Sequence, residues 1–314
     1  MHESAGRPGL LIVRLSALGD VIHAMPAVAM LREALPGLPI GWAVESPYRE
    51  LVEIVGRVTA IPASLKRWSR SPISSRQAIG AFHRAIRGYQ TSIDFQGLLK
   101  SAVIARASGA KLRYSFDHDA IREKPALMFV NRPVAVDRTK HVVDWNIALA
   151  RAVVPHAAVP LADFMPFAAD EGGKLAAFDG SVVLLPGAGR REKLWPVERF
   201  RAVAGRLGGR ALVVWGPGEE DLAKAIGGRI APPTNLRELA YALRHASVVV
   251  GGDTGPLHLA AALGTKVVGL FGPTDVRRNG PYGQLQHCLV GPAGTMESIA
   301  VEDVTGMIER TLAE

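Results

Sequence analysis

Residues 10–36 read LLIVRLSALGDVIHAMPAVAMLREALP, and this stretch decides the fold class. Leu10–Val13 is a short apolar run, typical of a strand buried in a parallel sheet. The loop Ser16–Asp20 follows, and apolar residues then recur at helical spacing from Val21 to Leu35, where a proline ends the pattern. A strand, a loop and a helix in this order predict an α/β fold.

Apolar runs and helical stretches keep alternating along the rest of the chain. Further strands are predicted at Ile40–Val44, Thr91–Phe95, Leu112–Phe116, Ser181–Leu185, Ala211–Trp215, Ser247–Val250 and Lys266–Phe271. Helices are predicted at Ser75–Arg87, Leu98–Ala107, Arg138–Ala152, Pro196–Leu207, Leu236–Arg244, Leu257–Leu263 and Glu297–Leu312, with Asn235 as the cap of the fifth. This alternation indicates parallel sheets whose faces are covered by helices.

The chain is predicted to form two domains. Its 314 residues, at roughly 150 residues per domain, favour two domains. The segment Val153–Asp170 is rich in proline and alanine and interrupts the alternation, which predicts a linker. We therefore predict two Rossmann-like domains, residues 1–160 and 161–314, whose parallel sheets face each other across a cleft. The last helix is a candidate to pack back on the first domain.

The composition is that of a globular protein, with 48% hydrophobic and 21% charged residues. A single cysteine, Cys288, excludes an intrachain disulfide and favours the reducing cytosol. No apolar run approaches the ~18 residues that span a bilayer, and the first ten residues do not predict a signal peptide. The net charge of +8 suggests nucleic acid, a phospholipid surface or a phosphorylated sugar as partner.

Two loops of the second half could bind an anion. In PGAGRREKLWP (186–196), Gly187 and Gly189 allow backbone N–H groups to approach a phosphate and Lys193 supplies a charge, although a plain strand-to-helix turn fits equally well. In GGDTGPLHLAAALG (251–264), a helix begins near a proline and offers free N–H groups to a phosphate or diphosphate. Asp253 and His258 lie at the same edge and could bind the same ligand. Alternatively, Asp253 caps the helix and His258 is a structural residue of the core.

Three further features have both a functional and a structural interpretation. The acids of GPGEEDLAK (216–224) either favour the helix dipole or accept hydrogen bonds from ribose hydroxyls. Asp20 lies at the carboxyl edge of the first strand, where it is either a general base or a helix cap. The basic cluster around Lys66, which continues to Arg122, is either a solvated face or a site for carboxylates and phosphates.

Several motifs do not occur. The sequence has no HExxH, CxxC or EF-hand loop, so no metal site is indicated. It has no Walker A loop, no GxGxxG after the first strand and no GxSxG elbow, which disfavours nucleotide-triphosphate, dehydrogenase and serine-hydrolase chemistry. The basic cluster has little aromatic interleaving beyond Trp68, so we expect no nucleic acid partner.

Taken together, these segments resemble the bacterial lipopolysaccharide heptosyltransferases, glycosyltransferase family 9. Residues 10–36 resemble their amino-terminal signature, and DFQGLLKSA (94–102) resembles a motif in the middle of their first domain. KLWP (193–196) resembles their donor-side lysine segment, and GGDTGPLHLAAALGTKVVGLFGPTD (251–275) resembles their most specific motif. The basic segments LKRWSRSPI (65–73) and IREKPALMFVNR (121–132) are similar to those of the first heptosyltransferase.

The resemblance implies a GT-B fold, with the acceptor bound by the first domain and the nucleotide sugar by the second. It implies an inverting, metal-independent transfer of heptose from ADP-heptose to a Kdo residue of the inner core, without a cofactor. The acceptor would be Kdo-lipid A, which places the enzyme in the cytoplasm, peripheral at the cytoplasmic face of the inner membrane.

Positions that match the family motifs take the family's roles as expectations. Asp20 matches the general base, and Lys193 matches the lysine that offsets charge on the leaving diphosphate. The donor-binding positions are Gly187, Ala188, Gly189, Lys193, Glu220, Asp253, Thr254, Gly255 and His258. The acceptor-binding positions are Lys66, Arg67, Arg70 and Arg122.

The loop Pro186–Gly189 departs from the first heptosyltransferases, because it has no hydroxyl side chain and is closer to the second. A heptosyltransferase II-like enzyme, or another member with a different acceptor or nucleotide sugar, therefore remains open. A non-catalytic nucleotide-sugar-binding protein on the same fold is the alternative from another class. The joint presence of Asp20 and Lys193 favours the enzyme.

Overall fold

The computed structural model describes residues 9–54, 56–159 and 173–314. The chain divides into two compact units, Met1–Pro166 and Phe167–Glu314. The predicted boundary between residues 160 and 161 lies outside the described residues, as does most of the predicted linker. None of the helices in the described ranges is long and apolar enough to cross a membrane.

The first unit contains a parallel sheet whose strands alternate with helices. The strands are β1 Leu10–Val13, β2 Ile40–Glu45, β3 Thr59–Ala63, β4 Thr91–Asp94, β5 Leu112–Phe116 and β6 Arg132–Val134. The helices are α1 Leu18–Ala34, α2 Arg49–Ile54, α3 Leu65–Arg70, α4 Arg76–Ala85, α5 Leu99–Ala107 and α6 Val142–Arg151.

The second unit repeats this arrangement. Its strands are β7 Val182–Leu185, β8 Ala211–Val213, β9 Arg229–Ile230, β10 Val248–Gly252, β11 Val267–Phe271 and β12 Cys288–Val290, again in parallel pairs. Its helices are α7 Val197–Leu207, α8 Glu220–Ile226, α9 Leu236–Arg244, α10 Gly255–Ala262, α11 Val276–Asn279 and α12 Val301–Ala313.

Both sheets have the same strand order. The first runs β3-β2-β1-β4-β5-β6, and the second runs β12-β11-β10-β7-β8-β9, which is the same order counted from its own first strand. In this doubly wound order the chain reverses direction between the first and fourth strands, and a crevice opens at their carboxyl ends. The loops after β1 and β4, and after β7 and β10, are therefore where a ligand is expected.

Apolar side chains on one side of each helix pack against the sheet and cover it. In the first unit, Phe82 of α4 and Ile104 of α5 pack in one cluster with Leu11 and Val13 of β1, so α4 and α5 cover the same face of the sheet. In the second unit, Phe200 of α7 and both Val304 and Ile308 of α12 pack on the strands β7 and β10. The last helix thus contributes to the core of the second unit.

The predicted fold is confirmed, and the differences are local. The strands that were not predicted are β3, β6, β9 and β12, and these are the edge strands of the two sheets. An edge strand is short and half-exposed, and two of them contain a proline, Pro62 and Pro133, so they lack a continuous apolar run. The helix predicted over 138–152 begins only at Val142, because the side chain of His141 accepts the Val143 N–H and caps it.

Candidate active site

Asp20 lies in the first turn of α1, directly after β1, and its carboxylate is one-third exposed. Oδ1 is 2.6 Å from Nη2 of Arg14, and Oδ2 is 3.8 Å from Nη1 of Arg122. Oδ2 also accepts the N–H of Ala17 at 3.3 Å, which closes the start of the helix. Asp20 is thus the third residue of α1 and not its N-cap, which is Ala17, and it supports the helix start by accepting the N–H of that cap residue. Its role as a general base stays a prediction.

Arg14 is the cation that fixes this carboxylate. Its side chain is 4% exposed, and its Nη1 donates to the carbonyl of Phe95 at the end of β4. Burial lowers the pKa of Arg14, and the carboxylates of Asp20 and Asp94 oppose that shift. A guanidinium buried this deeply is tolerated only where anionic groups neutralise it. The position of Asp20 is thus set by a charge in the core.

The DFQGLLKSA segment ties the loop after β4 to the loop after β1. Asp94 is buried and accepts hydrogen bonds from the N–H groups of Gln96 and Gly97 at 2.8 and 3.2 Å and from the Ser101 hydroxyl at 2.8 Å. Gln96 in turn accepts the N–H of Leu15 at 2.9 Å. These contacts hold both sides of the first crevice, a role that the sequence analysis did not assign.

In the second unit, Lys193 and Asp253 form an ion pair. Lys193 ends a short 3₁₀ turn after the loop Pro186–Gly189, and its Nζ is 2.5 Å from Oδ2 of Asp253 at the end of β10. Oδ1 of Asp253 is 3.0 Å from Nε2 of His258. Burial alone would raise the pKa of Asp253, but hydrogen bonds from His258 and Lys193 outweigh it and lower the pKa to about 2. Asp253 is therefore ionised throughout the physiological range.

Helix α10 begins at the same point. Thr254 is its N-cap, and Gly255 and a proline follow at the first helical positions. The first-turn N–H groups of a helix lack intrahelical partners, so this end has an anion-binding character. The hydroxyl Oγ1 of Thr254 is buried and has no hydrogen-bond partner among the residues that the structure describes. Lys193, Thr254 and the helix end together offer donors and positive charge to one anion.

A carboxylate lies against the glycine loop, and it belongs to Glu219. A Cβ atom added at Gly187 would come within 2.0–2.2 Å of the Glu219 carboxyl group, so any larger residue there would displace this carboxylate. Glu219 also accepts the N–H of Gly216 at 2.8 Å. Glu220, the predicted ribose ligand, instead pairs with Lys224 at 2.9 Å on the exposed side of α8. The motif GEED contained both acids, and sequence alone could not rank them.

The predicted acceptor residues fall into two groups. Arg122 lies beside Asp20, as described above. Lys66, Arg67 and Arg70 are exposed on α3, and Arg67 lines a cavity of about 420 Å³ between α3 and α4. Lys66 also acts electrostatically on Glu45 at the end of β2, which places α3 near the same sheet edge as Asp20.

Comparisons with known proteins agree with these features. Residues 79–308 match the model of glycosyltransferase family 9 (heptosyltransferase). The chain belongs to glycosyltransferase family 9. It is 31% identical to lipopolysaccharide heptosyltransferase 1 of Salmonella typhimurium, over 95% of this chain and 99% of that protein.

Solved structures extend the family assignment to the fold. The chain matches a structure of E. coli heptosyltransferase WaaC with ADP at a TM-score of 0.84 and 28% identity, covering 96% of this chain and 99% of that one. A structure of WaaC with ADP-2-deoxy-2-fluoro heptose matches over the same shares with a TM-score of 0.81 and 28% identity. The predicted GT-B fold is therefore confirmed, and the two doubly wound sheets of this glycosyltransferase are its two halves.

The described residues of this family member contain no group of three or more His, Cys, Asp or Glu side chains placed to hold a metal ion. The site residues named above stay predictions in their roles, although their positions are now defined. Two residues that sequence reasoning missed, Arg14 and Glu219, lie in the same two crevices. Arg14 interrupts an otherwise apolar run, and a charge in such a run is the signal that could have found it.

Asp94→Asn is expected to flatten the pH dependence of stability. Burial raises the pKa of Asp94 to about 6, whereas an aspartate in an unfolded chain has a pKa of about 3.9. A raised folded-state pKa gives stability that is present below about pH 4 and is lost as pH rises through 6, which amounts to about 3 kcal/mol in all. Measured by urea unfolding, the variant should gain roughly 2 kcal/mol on the wild type between pH 4 and pH 7.5.

Asparagine keeps the shape of the side chain, and its oxygen can still accept the N–H groups of Gln96 and Gly97. The matched control is Asp303→Asn, which changes an exposed aspartate of α12. Parallel pH curves for Asp94→Asn and the wild type would contradict the assignment.

Proposed function

We propose that this glycosyltransferase moves heptose from ADP-heptose to a Kdo residue of the lipopolysaccharide inner core. The observation that carries the proposal is the cluster of Lys193, Asp253 and His258 at the first turn of α10, which is suited to a diphosphate. The relatives add the substrate class, since they are named lipopolysaccharide heptosyltransferases and since WaaC structures contain ADP and an ADP-heptose analogue.

The mechanism is an inverting displacement. The acceptor hydroxyl gives its proton to the carboxylate of Asp20 while its oxygen attacks the anomeric carbon of heptose. The bond from that carbon to the diphosphate breaks, and ADP leaves with the electron pair. Arg14 holds the carboxylate of Asp20 in place, because its buried guanidinium needs an anionic partner at that point.

Lys193 and the end of α10 stabilise the charge that develops on the leaving diphosphate. Preorganised donors of this kind lower the barrier because they need no reorganisation during the reaction. The ionised Asp253 would repel the diphosphate if it were bare, and its two hydrogen bonds, from Lys193 and His258, shield it. We also propose that the reaction is metal-independent, because the ammonium of Lys193 can supply the positive charge that the leaving diphosphate needs.

The acceptor completes the proposal. Arg122 beside Asp20 supplies a planar cation for the carboxylate of Kdo, and Lys66, Arg67 and Arg70 supply further charge for anionic groups. A Kdo-lipid A acceptor would bring the enzyme to the cytoplasmic face of the inner membrane as a peripheral protein.

Asp20→Asn is expected to lower kcat for heptose transfer by at least about 100-fold, which is the lower range for loss of a general base. The affinity for ADP, measured by calorimetry, should stay within about twofold of wild type, because Asp20 belongs to the other crevice. Glu33→Gln removes an exposed carboxylate from the same helix and should keep wild-type turnover. Turnover of Asp20→Asn within about tenfold of wild type would remove Asp20 from its role.

Glu219→Gln and Glu220→Gln form a matched pair. We propose that Glu219, which lies against the glycine loop, accepts the ribose hydroxyls in place of Glu220. Loss of a charged hydrogen bond to ribose is worth roughly 1.5–3 kcal/mol, so Glu219→Gln should weaken ADP binding at least about tenfold. Glu220→Gln should bind ADP within about twofold of wild type, because Glu220 pairs with Lys224 at the surface. The reverse ranking in calorimetry would restore Glu220 as the ribose ligand.

A panel of nucleotide sugars separates the heptosyltransferase from other members of the family. ADP-heptose and ADP are expected to raise the melting temperature in a thermal-shift assay, and the shift should persist in EDTA. Stabilisation only by a donor with another nucleotide would overturn the proposed donor. Stabilisation by ADP-heptose without any turnover on Kdo-lipid A would favour the non-catalytic binding protein.

A further inference from the structure

The surplus of positive charge is confined to the first unit. Residues 1–166 contain 21 Lys and Arg against 13 Asp and Glu, whereas residues 167–314 contain 16 of each; together these make up the 37 and 29 of the chain. The first unit thus has a net charge of +8 and the second has none. A surplus confined to one half indicates a charged surface rather than a general effect of composition.

Within the first unit, the charge is concentrated between residues 54 and 116. This stretch contains eleven Lys and Arg and a single acid, Asp94, which is buried. It includes the helices α3, α4 and α5, and α4 and α5 cover the same face of the sheet. The outward sides of these helices therefore lie on one side of the unit and bear no carboxylate of their own.

Exposed aliphatic side chains stand among these charges. Ile73, in the turn between α3 and α4, is 92% exposed, and Met128, in a segment that packs against α5, is 82% exposed. Leu99 and Val103 lie one turn apart on the outer side of α5, and both are more than 40% exposed. Single exposed apolar residues are common, but four on one basic surface indicate a partner.

Basic residues flank each of these side chains. Arg70 and Arg76 stand on either side of the Ile73 turn, while Lys100 and Arg106 accompany Leu99 and Val103 on α5. Next to Met128, Arg113 donates to the carbonyl of Phe129 at 2.6 Å. Burial lowers the pKa of Arg113, and the like charge of Arg106 lowers it further, which shows how closely these cations are grouped.

We propose that this basic-apolar face, formed by the outer sides of α3–α5 with Ile73, Leu99, Val103 and Met128, docks on an anionic phospholipid bilayer. The aliphatic side chains insert at the level of the headgroups, and the long arginine and lysine side chains reach the phosphates. This inference deepens the proposed function, because a lipid-linked acceptor requires the enzyme at a membrane surface.

The chemistry of the face favours a membrane over the other polyanions. A site for single-stranded nucleic acid uses exposed aromatic rings for stacking, and Trp68 of this stretch packs instead against Phe82. A nucleic acid duplex binds through its phosphates and would leave the aliphatic side chains without a role. A free phosphate would use the cations and leave the aliphatic side chains without a role. A bilayer offers phosphates for the cations and hydrocarbon for the aliphatic side chains, over an area as wide as three helices.

The test is co-sedimentation of the full chain with large unilamellar vesicles, without donor or acceptor present. Vesicles of phosphatidylethanolamine and phosphatidylglycerol in a 3:1 ratio are compared with vesicles of phosphatidylcholine alone. Binding to the anionic vesicles should be at least about tenfold stronger and should weaken in 0.5 M salt, since the Debye length falls below about 5 Å.

Two double variants separate the charged and apolar contributions. Each basic side chain near an anionic surface strengthens binding roughly fivefold, so Arg84→Gln with Arg87→Gln should weaken vesicle binding roughly 25-fold. Ile73→Ser with Met128→Ser should weaken it at least about tenfold. The changed side chains are exposed, so the melting temperature should stay unchanged. The matched control is Arg210→Gln with Val290→Ser in the second unit, which should bind like wild type.

Equal binding to both vesicle types, no binding to either, or an equal loss in the control pair would overturn the proposal. Double variants that bind the anionic vesicles as strongly as the wild type would also overturn the proposal. If the same variants no longer bind an acidic protein or a nucleic acid, that molecule is the partner instead. Heptose transfer to a delipidated, water-soluble acceptor without vesicle binding would leave the proposed function standing and remove the docking face. Vesicle binding without any transfer would leave the docking face standing and remove the proposed function.

Discussion

The first crevice depends on one buried charge, the guanidinium of Arg14. A cation at the end of a central strand cannot be solvated there, so anionic and carbonyl oxygens must surround it. Asp20 and the carbonyl of Phe95 meet this requirement directly, and Asp94 contributes from the same loop. The loops after β1 and β4 are drawn together as a consequence, and the geometry of the proposed base follows from the neutralisation of a charge.

The second unit also contains a buried charge with a partner of opposite sign, but here the buried charge is negative. There the more buried charge is the carboxylate of Asp253, and its partner is the ammonium of Lys193, whose side chain is 23% exposed. One strand order, used twice, thus presents an anion at the first crevice and a cation at the second. A glycosyl transfer needs a group that takes a proton and a group that stabilises a departing diphosphate, and in the proposed mechanism each unit contributes one of them.

The sequence predicted the interior of this fold better than its edges. Central strands such as Leu10–Val13 and Val248–Gly252 are covered on both faces. Such strands therefore consist of consecutive apolar residues, which the sequence shows directly. The edge strands, such as Arg132–Val134, are half-exposed and carry no such run. Helix ends differed where a local cap, as at His141, decided the first turn.

The sites show the same division. Residue types and their order located Asp20, Lys193 and Asp253 at the strand ends, because loops after parallel strands meet at one edge. Which of two adjacent acids turns toward the glycine loop depends on packing, and this is why the sequence could not choose between Glu219 and Glu220. The buried role of Arg14 depends on contacts with residues about eighty positions away, which no local pattern records.

The Lys193–Asp253 pair also bears on how the enzyme would empty its site. A lysine with only solvent around it would lose its counterion when ADP departs. Here an ionised carboxylate stands within 2.5 Å and competes for the same ammonium at every pH in the cell. If Lys193 binds the diphosphate as proposed, Asp253 competes with the spent nucleotide for the ammonium, and the ion pair forms again when ADP leaves. The same contact would then favour turnover over product retention.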